Sequence, residues 1–204
     1  MPDKFRNKYR ISSSRLKNWD YGKNGAYFIT ICTGNREHFF GEIVSVNNDN
    51  EIQFTEIGQF AHQFWLEIPK HFPFVELGNF QVMPNHIHGI LIIDKKDNVD
   101  ALRLQTLRVD DVQTLPVDDV QTLQCNVSTE NKKMAMISPK SGSISTIIRS
   151  YKSVVTKNSH HIDAKFKWQE RFHDHIIRTS DSFERIQNYI ENNVANWKED
   201  KFFD

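Results

Sequence analysis

His86-Ile87-His88 is the sharpest local feature of this chain. On a β-strand, residues i and i+2 share a face, so both imidazoles can reach one divalent cation while Ile87 packs the other way. Two ordinary polar residues on a half-exposed strand give the same pattern, and His173-Asp174-His175 repeats it. Spacing by itself does not decide between them. His160 and His161 are adjacent and read as loop residues. Near the C-terminal end, Tyr189 and Asn193 stand four apart, hence on one face of a helix. A tyrosine hydroxyl can attack phosphorus and leave a covalent phosphotyrosine that stores the energy of the broken bond. An amide oxygen one turn on could complete a metal site begun by two histidines. A tyrosine on an amphipathic helix can equally be a core-edge residue. Glu191 is expected to point away from Tyr189 into solvent.

These residues need elements to hold them. Residues 27–33, aromatic and β-branched, read as a strand ended by Gly34-Asn35. Residues 39–44 and 51–55 read as a hairpin around Asn47-Asn48-Asp49-Asn50. Ile57, Phe60, Ala61, Phe64, Trp65 and Ile68 recur at helical spacing, with Thr55 as N-cap and Pro69 as stop. Residues 75–83 and 86–93 read as two strands separated by Pro84-Asn85. Ile147, Ile148, Tyr151, Val154 and Val155 predict a helix, residues 172–178 a strand, and Phe183, Ile186, Tyr189, Ile190 and Val194 a last helix capped by Ser180 or Ser182. Between about 94 and 139 the pattern dissolves around a tandem repeat, Gln-Thr-Leu-x-Val-Asp-Asp-Val at 105–112 and 113–120. That unit is too short for a solenoid and reads as a flexible insert. The order predicts an α+β domain, an antiparallel sheet with helices packed on one face. A ferredoxin-like (RRM-like) core is the natural candidate, although periodicity alone does not select it. The domain is expected over 25–204, interrupted at 94–139 and preceded by a basic segment, 1–24.

The 204 residues carry 26 Lys+Arg against 26 Asp+Glu. Zero net charge argues against a nucleic-acid partner, but its distribution argues for one. Residues 1–24 hold seven basic side chains against two acids, and 131–168 eight against one. Two basic stretches and an acidic insert cancel in the sum while leaving a phosphate-binding face. Two solvated surfaces with no partner would look the same. Two cysteines, Cys32 and Cys125, exclude a disulfide framework and a cysteine-built zinc site. No apolar run is long enough to span a membrane, and no secretory signal is expected.

Taken together, the motifs resemble the HUH single-tyrosine transposases, in particular the REP-associated tyrosine transposase branch. His-hydrophobic-His is His86-Ile87-His88, set in Met83-Pro-Asn-His-Ile-His-Gly-Ile-Leu91. The resemblance extends through residues 27–36, 147–153 and 168–178, and ends in Tyr189-Ile-Glu-Asn-Asn193 and the residues up to Trp197. It spans nearly everything except the insert.

The resemblance implies a single-stranded DNA endonuclease and strand-transferase in a bacterial cytoplasm, associated with the nucleoid. His86 and His88 would bind Mg²⁺ or Mn²⁺, and Tyr189 would attack, leaving a 5′-phosphotyrosine and a free 3′-hydroxyl that can rejoin DNA without ATP. Asn193 would stand where insertion-sequence members carry Gln as third metal ligand, on a side chain one methylene shorter. A homodimer and hairpin DNA from repeated palindromic elements are the implied partners. Arg6, Lys8, Arg10, Arg15, Lys17, Arg149 and Lys152 are candidate DNA contacts, with Tyr9, Trp19 and Tyr21 available for base stacking. Tyr151, in Arg149-Ser-Tyr-Lys-Ser153, is the rival nucleophile, but it lacks the Tyr-x-x-x-amide pairing and reads as packing or DNA contact. Two other classes stay open: a zinc hydrolase built on His86, His88, His173 and His175, and a catalytically silent hairpin-binding module.

Overall fold

The computed structural model describes residues 15–16, 19–47, 49–96 and 140–203. Among the described residues, strands and α-helices follow in the order β1 (Gly25–Cys32), β2 (Gly41–Val46), β3 (Asp49–Phe54), α1 (Glu56–Leu66), α2 (Ile68–His71), β4 (Val75–Met83), β5 (His86–Ile93), α3 (Ile144–Ser159), β6 (His173–Ile177) and α4 (Ser180–Glu191). Four strands form one sheet in the order β4-β5-β1-β6, every neighbour antiparallel. The β2-β3 hairpin stands apart as its own two-stranded sheet. Without it the connectivity is β-α-β-β-α-β, and each long helical crossover passes one intervening strand. The expected α+β class with an antiparallel sheet is present.

Strand alternation gives the sheet two unlike faces. Tyr27, Ile29 and Ile31 of β1 and Ile87, Leu91 and Ile93 of β5 lie on one face and are buried. α1 covers this face with Ile57, Ala61 and Trp65, and α3 with Ile144, Ile147, Ile148, Tyr151 and Val155. Burying each large apolar side chain stabilises the fold by about 1.5–3 kcal/mol relative to leaving it exposed. The other face carries His86, His88, Ile90 and Ile92 of β5 beside Cys32, Thr30, Phe28 and Ala26 of β1. Here α4 packs Ile190, Phe183 and Ile186 against Ile90, Ile177 and Phe28. All helices on one face was the expectation. The last helix instead lies on the opposite side, because its apolar stripe matches the smaller cluster around Ile90 and Ile177.

Local chemistry sets the boundaries. The Thr55 hydroxyl accepts the Gly58 N–H at 3.1 Å and starts α1. Pro69 does not stop that helix. It occupies the first turn of α2, where its missing N–H leaves no bond unmade. α4 is capped by Thr179, whose hydroxyl accepts from the Ser182 N–H at 3.2 Å, rather than by Ser180 or Ser182. The hairpin turns at Asn47, whose φ of 52° suits asparagine. The segment before β1 packs on the domain: Arg15 pairs with Asp174 at 2.7 Å, and Trp19 Nε1 donates to the Tyr27 hydroxyl at 3.3 Å. Most of the expected insert, with Cys125 and the candidates Arg6, Lys8, Arg10 and Lys17, lies outside the described residues. Among the described residues no helix is long and apolar enough to cross a membrane.

Candidate active site

Both histidines stand on β5 facing α4. His86 is fully buried and His88 is 1% exposed. Each is oriented by a neighbour. Asn85 Nδ2 donates to the Phe202 carbonyl at 2.8 Å, which turns Oδ1 of the same amide toward His86 Nδ1, also at 2.8 Å. A carbonyl oxygen only accepts, so His86 Nδ1 carries the proton and Nε2 offers a lone pair. That Nε2 is buried with no hydrogen-bond partner. His88 Nδ1 lies 2.9 Å from Thr30 Oγ1 on the adjoining strand. If His88 Nε2 is to offer its lone pair, Nδ1 must donate to this hydroxyl. Burial pushes the His86 imidazole down to about 3 and, with His86 beside it, holds His88 well below the ordinary histidine range. Both rings are neutral at physiological pH, the form a cation requires.

α4 brings Tyr189 to this pair. Its hydroxyl is 3.1 Å from His88 Nε2 and donates to Asp200 Oδ2 at 3.0 Å. Phe28 stacks on His88 and meets the Tyr189 ring edge-on, with centroids 5.2 and 6.2 Å away. Burial and the Asp200 carboxylate raise the Tyr189 hydroxyl above its ordinary range. One turn on, Asn193 is 3% exposed. Its Nδ2 donates to Asp200 Oδ2 at 2.8 Å, and its Oδ1 is buried without a partner.

Asp200 was not anticipated. It sits in the segment after α4, where its Oδ1 accepts the Phe202 N–H at 2.7 Å. Ligand atoms of His86, His88 and Asp200 all lie within 4.8 Å of one another, a spacing that could hold a metal ion. Two neutral imidazoles, a carboxylate and an unpartnered amide oxygen fit a divalent cation. No periodicity signals Asp200. An acid seven positions after Asn193 is its only trace in the chain.

No family model matches the chain. A protein of Haemophilus influenzae, described as uncharacterized, is 32% identical over 198 residues, covering 94% of this chain and 92% of that one. The chain belongs to its family. The solved structure of the REP-associated tyrosine transposase bound to a REP hairpin superimposes with a TM-score of 0.51 at 18% identity, covering 93% of this chain and 74% of that one. The chain shares the fold of that transposase.

Within this fold His86, His88, Tyr189 and Asn193 come together around Asp200. The other candidates do not join them. Tyr151 is 2% exposed beneath the opposite face, and its hydroxyl donates to the Ala61 carbonyl at 2.8 Å. Arg149 and Lys152 also lie on α3, along a groove of about 590 Å³ with Ser145, Thr156 and Phe172. Lys152 Nζ donates to the carbonyls of Gln169 and Arg171 at 2.8 and 3.1 Å, and burial pushes it down to about 8. Arg15 is engaged by Asp174 and by Ser145 Oγ at 2.5 Å. Among the described residues the four-histidine zinc centre is not assembled, since the group close enough to share an ion is His86, His88 and Asp200. Glu191 is exposed yet accepts from Asn79, tying α4 to β4.

Proposed function

We propose that this protein is a metal-dependent single-stranded DNA endonuclease and strand-transferase that cuts beside hairpins through a 5′-phosphotyrosine at Tyr189. One observation carries the reading: the half-exposed Tyr189 hydroxyl lies 3.1 Å from Nε2 of His88, beside buried lone pairs on His86 and Asn193 that have no partner. A nucleophile reachable from solvent thus stands at the edge of a dry cluster of cation ligands.

His86, His88 and Asp200 would hold Mg²⁺ or Mn²⁺, with Asn193 Oδ1 as a further ligand. A cation bound there would supply polarisation of the scissile phosphate and offset charge in the transition state. The Tyr189 oxygen attacks the phosphorus and its proton passes to Asp200 Oδ2, the acceptor already in place. The P–O bond to the 3′-oxygen breaks, and that oxygen leaves as a free 3′-hydroxyl after taking up a proton. Attack by the same or another 3′-hydroxyl reverses the step and returns the proton to Tyr189. No bond energy is lost, so no ATP is required. Asn85 holds His86 in the tautomer that this needs, and the Thr30 hydroxyl, able to accept, lets His88 Nδ1 carry its proton when Nε2 meets a cation.

The superimposed transposase was solved with a REP hairpin, which supports hairpin DNA as the substrate class. Arg149 and Lys152 remain candidate contacts to the hairpin from the far face of the sheet, together with the basic segment 1–24. The protein acts on DNA as a homodimer in the bacterial cytoplasm.

The decisive experiment incubates the protein and Tyr189→Phe with Mn²⁺ and end-labelled hairpin DNA from the sequence flanking the gene. The expected result is a denaturation-resistant adduct that retains the label downstream of the cut and is absent from Tyr189→Phe. An equal adduct in both proteins would refute Tyr189 as nucleophile. Binding without an adduct in either would favour a silent hairpin-binding module.

A further inference from the structure

A second groove, of about 550 Å³, runs along the edge strand β6 between Leu16 and Tyr21 on one side and the start of α4 on the other. We infer that this groove holds the sugar-phosphate backbone of the single strand leading to Tyr189, with Arg178 and Arg185 as its phosphate contacts. The inference rests on the function proposed above and adds the path by which its substrate enters.

The groove straddles the sheet edge at β6, and register places His173 and His175 of its lining on the site's own face. His173 of β6 pairs with Thr30, which pairs with His88, and His175 pairs with Phe28. The alternation that aims His88 at Tyr189 therefore aims His173 and His175 out along the same face, where both are exposed. Arg178 and Arg185 are exposed too. The acid on the groove wall, Asp174, is paired with Arg15 at 2.7 Å, so the wall's balance is cationic.

Arg185 joins the two sites. It precedes Tyr189 by four residues, one helical turn, and lines both this groove and the pocket of about 410 Å³ formed around Tyr189, Asn193 and Asp200. A strand whose phosphate meets Arg185 is thereby delivered to the hydroxyl one turn away. Guanidinium groups interleaved with imidazole and phenol rings are the combination that tracks a single strand without reading its bases. Arginine suits the role, since its donor fork grips phosphate oxygens in pairs.

The probe is fluorescent oligodeoxythymidine, which forms no hairpin, and the readout is anisotropy across a salt series. Arg178→Ala and Arg185→Ala should each weaken binding several-fold. Each should flatten the slope of log affinity against log salt by about 0.7, the value for one lost phosphate contact on a single strand. Arg185→Lys should keep most of the slope, and Lys70→Ala on α2 should leave it unchanged. An unaltered slope in the Arg178→Ala/Arg185→Ala double variant, or no oligodeoxythymidine binding by the unmodified protein, would overturn the assignment. Cleavage is not needed for this readout. A flattened slope without any hairpin adduct would sink the nuclease reading and keep the groove, whereas an adduct with an unaltered slope would do the reverse.

Discussion

The Tyr189 hydroxyl and His88 Nε2, 101 residues apart in the chain, meet at 3.1 Å within a single protomer. Helix α4 achieves this by packing Ile190 onto Ile90 and Ile177 on the histidine face. Tyr189 precedes Ile190 by one position, so burial of the isoleucine turns the tyrosine to the helix edge, half in solvent and half over His88. A hydroxyl held in this way needs no second copy of the chain to reach the histidines.

Thr30→Val should weaken the metal site while leaving the sheet in place. The substitution is near-isosteric on a central strand and removes the one side chain that bonds His88 Nδ1. Loss of such an orienting partner costs about 10- to 100-fold in metal affinity. Calorimetric titration with Mn²⁺ would show the loss. Equal affinities would mean that Thr30 does not set the His88 tautomer.

Removal of the tyrosine hydroxyl should cost little stability. Tyr189→Phe gives up the bond to Asp200 at a residue that is 40% exposed. Such a bond contributes about 0.5–1.5 kcal/mol. Urea unfolding should therefore show a small shift of midpoint with an unchanged slope, so that lost cleavage cannot be ascribed to unfolding.

Lys152 should titrate apart from the other lysines. Burial depresses it from the usual lysine value to about 8. The unfolded chain then binds more protons than the folded one between about pH 8 and 10.5, so this group's contribution to stability rises with pH across that window and its desolvation penalty is complete below it. Reductive methylation with ¹³C-formaldehyde followed by NMR should reveal one dimethyl-lysine with a midpoint near 8, missing from Lys152→Arg. A midpoint in the ordinary lysine range would show that Lys152 is better solvated than its carbonyl cage suggests.

Gly89→Ala should destabilise the sheet directly beside His88. A Cβ there would overlap the Trp65 ring and lie 3.0 Å from Phe80 Cβ. Trp65 is fully buried and cannot withdraw. Overpacking of this kind costs about 1–3 kcal/mol. Thermal unfolding should show a lowered midpoint, and a neutral result would mean that Trp65 can shift.

Much of this was legible in the chain. Residues 75–83 and 86–93 form strands where alternation and Pro84-Asn85 put them, because β-branched and aromatic runs with a turn between them have few other uses. The histidine pair and the tyrosine-amide pair are local patterns, and period 2 on a strand or 3.6 on a helix already aligns their members. Pro69 and the α4 cap were misread for a local reason too: a proline can open a helix as well as close one, and Thr179, Ser180 and Ser182 compete for one cap. What only the tertiary structure decided is which local patterns meet. The sheet order sets His173 and His175 in line with His88 through β1, although nothing in either motif refers to the other. Packing of α4 on the face opposite α1 and α3 separates Tyr189 from its rival Tyr151, which is buried on the other side of the sheet. Asp200 enters because the chain after α4 folds back over the histidines, held by Phe202 and Trp197. Periodicity records which residues of one element share a face. It carries no record of which faces find each other, since that is settled by apolar surfaces competing for burial across the whole sheet.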